Sequence, residues 1–177
     1  MKVTQSNIND VLIIEPDVFG DERGFFLETF HTQRYKEAGI TLPFVQDNYS
    51  RSSHGVLRGL HFQKTKPQGK LIRVVRGKVL DVVVDCRAES LTFGQWFSIE
   101  LSEHCKKQLW IPPGLAHGFV SLADTTDIEY KCTDFYDPTD EACLIWNDPS
   151  LNIQWPDIPF ILSEKDQKGL TFAELFL

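Results

Sequence analysis

The sequence predicts an all-β protein with small helical additions, and two observations carry that expectation. Short β-prone runs of four to seven residues recur along the chain, and Gly24, Gly55, Gly69, Gly77, Gly94 and Gly114 punctuate them. Aromatic residues are also plentiful, with 13 Phe and four Trp among 177 residues, a composition that suits sandwiches and barrels. A chain of this length supports one domain with a sizeable core, here expected to span residues 1–177.

In order, strands are expected at Val11–Glu15, Phe25–Phe30, Phe44–Ser50, Val56–Phe62 and Leu71–Val75, each rich in β-branched or aromatic residues. Further strands are expected at Val79–Asp85, Trp96–Leu101, Gln108–Ile111, His117–Ser121 and Asp127–Cys132. Between the second and third runs, Thr32–Ala38 reads as a helix capped by Thr32 and closed by Gly39. Another helix is expected after Ser163, whose hydroxyl can cap Glu164, Lys165 and Asp166. Within Val56–Phe62, alternation places Arg58 and Leu60 on one face and Leu57, Gly59 and His61 on the other, unless a bulge at Gly59 resets the register. Ile128, Tyr130 and Cys132 share an apolar face, where a phenol needs a partner.

Charge is unevenly distributed. Eight basic residues and no acidic ones fall between Arg51 and Lys78, although the chain as a whole carries −7. An acidic protein with a small basic island does not offer the broad basic face that nucleic-acid binding needs. It suits a small phosphorylated ligand. No apolar run reaches the length of a membrane span and the N-terminus lacks the apolar core of a signal peptide, so a cytoplasmic address is expected. Cys86, Cys105, Cys132 and Cys143 show neither zinc-ligand spacing nor a disulfide framework, and read as free thiols.

The chemistry concentrates in Arg58, Gly59, Leu60, His61, Phe62 and Gln63, followed by Lys70, His117, Tyr130 and Lys131. These supply a base, an acid and cations on one β-scaffold, a combination that points to proton chemistry on an anionic substrate.

Further strings then complete a pattern. They are Phe19, Asp21, Arg23, Gly24, Phe26 and Glu28; Gln46, Asp47 and Asn48; Gly69 to Leu71 with Arg73, Val74 and Gly77; Ile111, Pro112 and Gly114 with Ala116 to Phe119; Trp146 to Pro149; and Ser163 to Asp166. In this order and spacing the chain, from Val11 to about Leu175, resembles the dTDP-4-dehydrorhamnose 3,5-epimerase family. The resemblance implies a cupin-like jelly roll, or double-stranded β-helix, with small peripheral helices. It implies epimerisation of carbons 3 and 5 of dTDP-4-keto-6-deoxy-D-glucose without a cofactor.

By that resemblance His61 is the general base, Tyr130 the general acid, Asp166 the partner of the histidine, and Lys70 the cation facing the keto oxygen. Imidazole is suited to the base role because it titrates near working pH, and a positioned cation stabilises charge building on a ketone oxygen. Phe19, Arg23, Glu28, Gln46, Asp47, Asn48, Arg58, His117, Tyr136, Glu141 and Lys165 fall at substrate-contact positions. Arg23, Arg58 and Lys165 are assigned to the diphosphate, since a guanidinium pairs phosphate oxygens bidentately. A homodimer is implied, with N-terminal strands crossing so that Arg23 or Glu28 completes the neighbouring site.

Metal chemistry is not expected. His61 is followed by Phe62 and Gln63, so the His-x-His string of metal-binding cupins is missing, and His31, His54 and His104 have no matching carboxylate spacing. Two other readings stay open: an enzyme that inverts one carbon only, or isomerises the ketone, and a non-catalytic nucleotide-sugar binding module. Retention of His61, Tyr130 and Asp166 together disfavours the second.

Overall fold

The computed structural model describes residues 1–177. Its strands are β1 (Lys2–Gln5), β2 (Leu12–Glu15), β3 (Val18–Asp21), β4 (Gly24–Leu27), β5 (Gln46–Ser53), β6 (Leu57–Gln63) and β7 (Lys70–Arg76). These are followed by β8 (Lys78–Asp85), β9 (Trp96–Ser102), β10 (Gln108–Ile111), β11 (Leu115–Ser121), β12 (Thr125–Cys132) and β13 (Glu141–Cys143). The helices are short: α1 (Thr32–Glu37), α2 (Glu164–Gln167) and α3 (Phe172–Phe176). No helix is long and apolar enough to cross a membrane.

Two antiparallel sheets face each other. One has the order β1-β2-β10-β7-β12-β5 and the other β13-β6-β11-β8-β9, with β3 and β4 forming a separate hairpin. The residues that alternate inward supply the main core: Ile72, Val74, Leu109 and Ile128 from the first sheet meet Val79, Val83, Leu115 and Phe119 from the second. Each of these side chains is essentially removed from water, a gain of roughly 1.5–3 kcal/mol per large residue. The back of the second sheet is sealed by the C-terminal segment, whose Leu144, Leu151 and Phe172 cover Leu60, Phe62, Val82 and Val84. On the back of the first sheet α1 packs Tyr35 against Ile14, Leu71 and Trp110, and the Tyr35 hydroxyl donates to Gln108 Oε1 at 2.7 Å.

Most expected strands form within one or two residues of their predicted limits. The run Phe25–Phe30 does not: the strand ends at Leu27. Beyond it Phe30 turns to pack on Tyr35 and Phe44, and Glu28 pairs with Arg34 at 2.6 Å, so docking of α1 overrides continuation of the hairpin. Phe44 joins the same cluster, and β5 starts two residues later at Gln46. The cap of α1 is His31 rather than Thr32, with Nδ1 accepting from the Arg34 backbone at 3.4 Å. Ser163 caps α2 as expected.

Candidate active site

The bulge in β6 does take place. His61 lies opposite His117 and Arg58 opposite Phe119, so Gly59 and Leu60 together face the single residue Gly118. Close approach of the two strands requires glycine on both sides: a Cβ at Gly59 would sit 2.5 Å from Gly118 Cα, and the Gly59 φ of +122° is one that side chains disfavour. The extra residue turns Arg58 and His61 to the same inward face, while Leu60 and Phe62 stay in the outer core. Simple alternation, which separates Arg58 from His61 by face, is thereby corrected.

The opposite wall comes from the first sheet. Tyr130 lies opposite Ile72 on β7 and Asn48 on β5, and two residues further along β12, Cys132 lies opposite Lys70 and Gln46. Because Ile72 and Ile128 are core residues, this register aims Tyr130, Lys70, Asn48 and Gln46 inward. With His61, Gln63, Tyr136 and Glu141 they line a cleft of about 280 Å³ between the sheets. Burial pushes the Tyr130 phenol upward, so it stays protonated at neutral pH. Burial also pulls the Lys70 ammonium below the usual lysine range, against the pull of Cys132, Glu141 and Asp81. Neither side-chain tip is tied to a protein group.

His61 is held from behind. Its Nε2 lies 2.5 Å from Asp166 Oδ1, and Asp166 Oδ2 accepts from the Ser163 hydroxyl at 2.8 Å. The α2 cap thus aims the carboxylate, since the Asp166 backbone N–H also donates to Ser163 Oγ at 3.1 Å. Burial raises the Asp166 carboxyl, but the hydrogen bond to His61 and that residue's charge outweigh it and leave it lowered. On the cleft side His61 Nδ1 is 3.9 Å from Glu141 Oε1. Glu141 in turn accepts from Lys165 Nζ at 2.7 Å and the Tyr136 hydroxyl at 3.0 Å.

The remaining predicted residues lie apart. His117 sits beneath the cleft, its Nε2 2.9 Å from Asp81 Oδ2, a carboxylate with no exposure. Asp47 is on the other face of β5, paired with Lys131 at 3.0 Å. A hollow of about 260 Å³ on that face is lined by Asp47, Lys131, Arg73 and Glu129; Arg73 pairs with Glu129 at 2.6 Å, so it offers no free cation. Phe19 and Arg23 stand on the β3–β4 hairpin, where Arg23 pairs with Asp21, and Glu28 is engaged by Arg34. Of the expected basic island, Arg51 pairs with Asp127 at 2.7 Å and Lys78 with Glu100 at 3.0 Å, Lys64, Lys66 and Arg76 are exposed, and Lys70 enters the cleft while the exposed Arg58 shares the face of His61.

Sequence reading missed Asp81 and Cys143 as neighbours of the site. For Asp81 a signal existed: an acid at an inward position among valines in Val79–Val84. His61, Cys143 and Asp166 bring one ligand atom each within 4.8 Å of the others, a set that a metal ion fits by distance. Two of the three already share a 2.5 Å hydrogen bond, and burial pushes the Cys143 thiol up to about 11, which keeps it from the thiolate form that binds metals.

Residues 5–174 match the family model of dTDP-4-dehydrorhamnose 3,5-epimerase. A dTDP-4-dehydrorhamnose 3,5-epimerase of Pseudomonas aeruginosa is 53% identical over 177 residues, covering 98% of this chain and 97% of the relative. A dTDP-4-dehydrorhamnose 3-epimerase of Streptomyces niveus is 38% identical, covering 98% of this chain and 85% of its own. Among solved structures, the Legionella pneumophila dTDP-6-deoxy-D-glucose-3,5-epimerase in complex with dTDP-4-keto-L-rhamnose superposes with a TM-score of 0.95 at 49% identity, covering 99% of this chain and 96% of that one. The same two-sheet scaffold and a match over nearly the whole length lead to one conclusion: this chain belongs to the dTDP-4-dehydrorhamnose 3,5-epimerase family.

Proposed function

We propose that this chain inverts carbons 3 and 5 of dTDP-4-keto-6-deoxy-D-glucose, giving dTDP-4-keto-L-rhamnose, with His61 as base and Tyr130 as acid. The observation that carries the assignment of roles is their placement: the imidazole and the phenol enter one cleft from opposite sheets, with the Lys70 ammonium beside the phenol. Inversion at a carbon next to a ketone needs a proton taken from one face and another delivered to the opposite face. With Nε2–H donated to Asp166, the lone pair of His61 Nδ1 is the one directed at substrate. It takes the proton from carbon while the C–H electron pair moves into the ring and onto the keto oxygen. Lys70 faces that oxygen and stabilises the enolate. Tyr130 then protonates the carbon from the other side, and Asp166 balances the imidazolium. Arg58, braced by Ser52 at 3.1 Å, meets the diphosphate.

The assembly follows from the hairpin. Phe19, Phe25 and Phe26 are 64%, 60% and 67% exposed on β3–β4, an apolar surface of the kind that marks an interface. We assign it to a second copy of this chain, whose cleft then receives Phe19, Arg23 and Glu28. All four cysteines are free, which agrees with a cytoplasmic location.

The test is NMR of the keto-sugar nucleotide with this protein in deuterated water. Deuterium at both carbons 3 and 5 is expected. Exchange at one carbon alone would establish a mono-epimerase, the activity named for the Streptomyces niveus relative. Binding without any exchange would leave a nucleotide-sugar binding module.

A further inference from the structure

Every inversion leaves a proton on His61 and removes one from Tyr130. Two inversions on one bound sugar therefore need the pair to be reset in between, so that His61 is again a base and Tyr130 again an acid. Asp166 does not perform this reset. It holds Nε2, on the side away from the substrate, and an ionised carboxylate there stabilises the imidazolium without removing the proton gained at Nδ1.

The group that faces Nδ1 is Glu141, with Oε1 at 3.9 Å. Two residues apart on β13, Glu141 and Cys143 lie opposite Gln63 and His61, so the carboxylate and the imidazole project from neighbouring strands to the same cleft. Glu141 Oε2 accepts from the Tyr136 hydroxyl at 3.0 Å, and Tyr136 is 49% exposed, so the chain of groups runs from the base to water. Tyr130 lies close enough to both for their charges to act on it.

We propose that Glu141 is the proton outlet of His61, taking the proton from Nδ1 between the two inversions and passing it through Tyr136 to water in the cleft. The inference rests on the epimerase reading above. One water spanning the 3.9 Å between Nδ1 and Oε1 carries the proton across, so that imidazolium and carboxylate become imidazole and carboxylic acid. The acid returns to carboxylate by giving its proton to Tyr136, which releases its own hydroxyl proton to water, and the Tyr130 phenolate takes one proton from the same water. The balance is one proton moved from His61 to Tyr130, with no carbon bond touched and no reactant besides water. Lys165 Nζ donates to Glu141 Oε2 at 2.7 Å. Burial raises the Glu141 carboxyl, yet Lys165 and His61 outweigh that and hold it ionised, so it releases a proton it receives instead of retaining it.

A Glu141→Gln variant, which keeps the side-chain shape, is followed by the same deuterium exchange at carbons 3 and 5. The expected result is that the ratio of second-carbon to first-carbon exchange falls by about tenfold or more relative to the wild type, whatever loss of binding slows both. Singly inverted sugar then accumulates, and in Glu141→Ala added formate restores the second exchange. Circular dichroism and thermal melting report whether each variant is folded, and Tyr136→Phe gives a second, milder fall in the same ratio. Equal slowing at both carbons, equal rates at both, or a second exchange that formate does not restore would overturn the outlet role. Absence of exchange in the wild type would instead sink the epimerase reading, and the outlet with it.

Discussion

At position 61 one contact decides what an imidazole can do. Bonded through Nε2 to a carboxylate that is only 3% exposed, it presents Nδ1 to the cleft with a fixed tautomer. His61→Asn should therefore lower turnover by about 10³-fold, within the range for lost general-base catalysis. Calorimetry should find the affinity for dTDP unchanged within about tenfold, or 1.4 kcal/mol. Tyr130→Phe should behave differently. With the proposed base intact and the proposed acid gone, deuterium is expected still to enter at the abstracted carbon while inversion stops; inversion persisting in this variant would remove Tyr130 from the acid role. The chemistry available at His61, Tyr130 and Lys70 is legible in the amino-acid sequence, because all three stand on strands marked by β-prone runs and turn residues. The Asp166 contact is legible only through resemblance, because 105 residues separate it from His61 and no periodicity links a strand to a distant helix cap.

Among the elements, β6 shows how one inserted residue governs a site. Its bulge depends on two glycines in contact across β6 and β11, with backbone where any Cβ would have to go. Gly59→Ala is expected to destabilise the protein by roughly 1–3 kcal/mol, as overpacking does. It is also expected to abolish exchange, because Arg58 and His61 then no longer share a face. A denaturant melt and the exchange experiment on one preparation check both; full activity at reduced stability would show that the bulge does not position the base. The glycine in this run suggests a bulge, but whether it forms depends on the partner strand. Other elements are illegible for local reasons. The strand β1 is polar and lies at a sheet edge, and β13 is three residues long and exists through pairing with β6. By contrast α3 carries a legible signal, the Thr171–Glu174 capping box, which sequence reading passed over.

For the molecule as a whole, the proposed dimer makes the N-terminal hairpin part of the neighbouring site. Phe26→Asp places a charge at the centre of the apolar surface and should shift the protein from dimer to monomer in light scattering. Circular dichroism should stay unchanged, while exchange at both carbons falls because Arg23 and Glu28 no longer reach a cleft. A monomeric variant with full activity would show that each cleft is complete within its own chain.

The all-β class, most strand positions and the chemical types available for catalysis are legible in the amino-acid sequence alone. These depend on local alternation, turn residues and composition, all of which are properties of short segments. Which of those residues share one cleft depends on contacts between distant segments. Arg73, Arg51 and Lys78 belong to the same basic run as Arg58 and Lys70, yet cross-strand carboxylates occupy the first three. Asp47 and Asn48 are neighbours in sequence, but the pleat sends one to the outer face and the other into the cleft. The physical reason is that facing is set by register, bulge and the partner strand, and these are fixed by contacts between segments far apart in the chain.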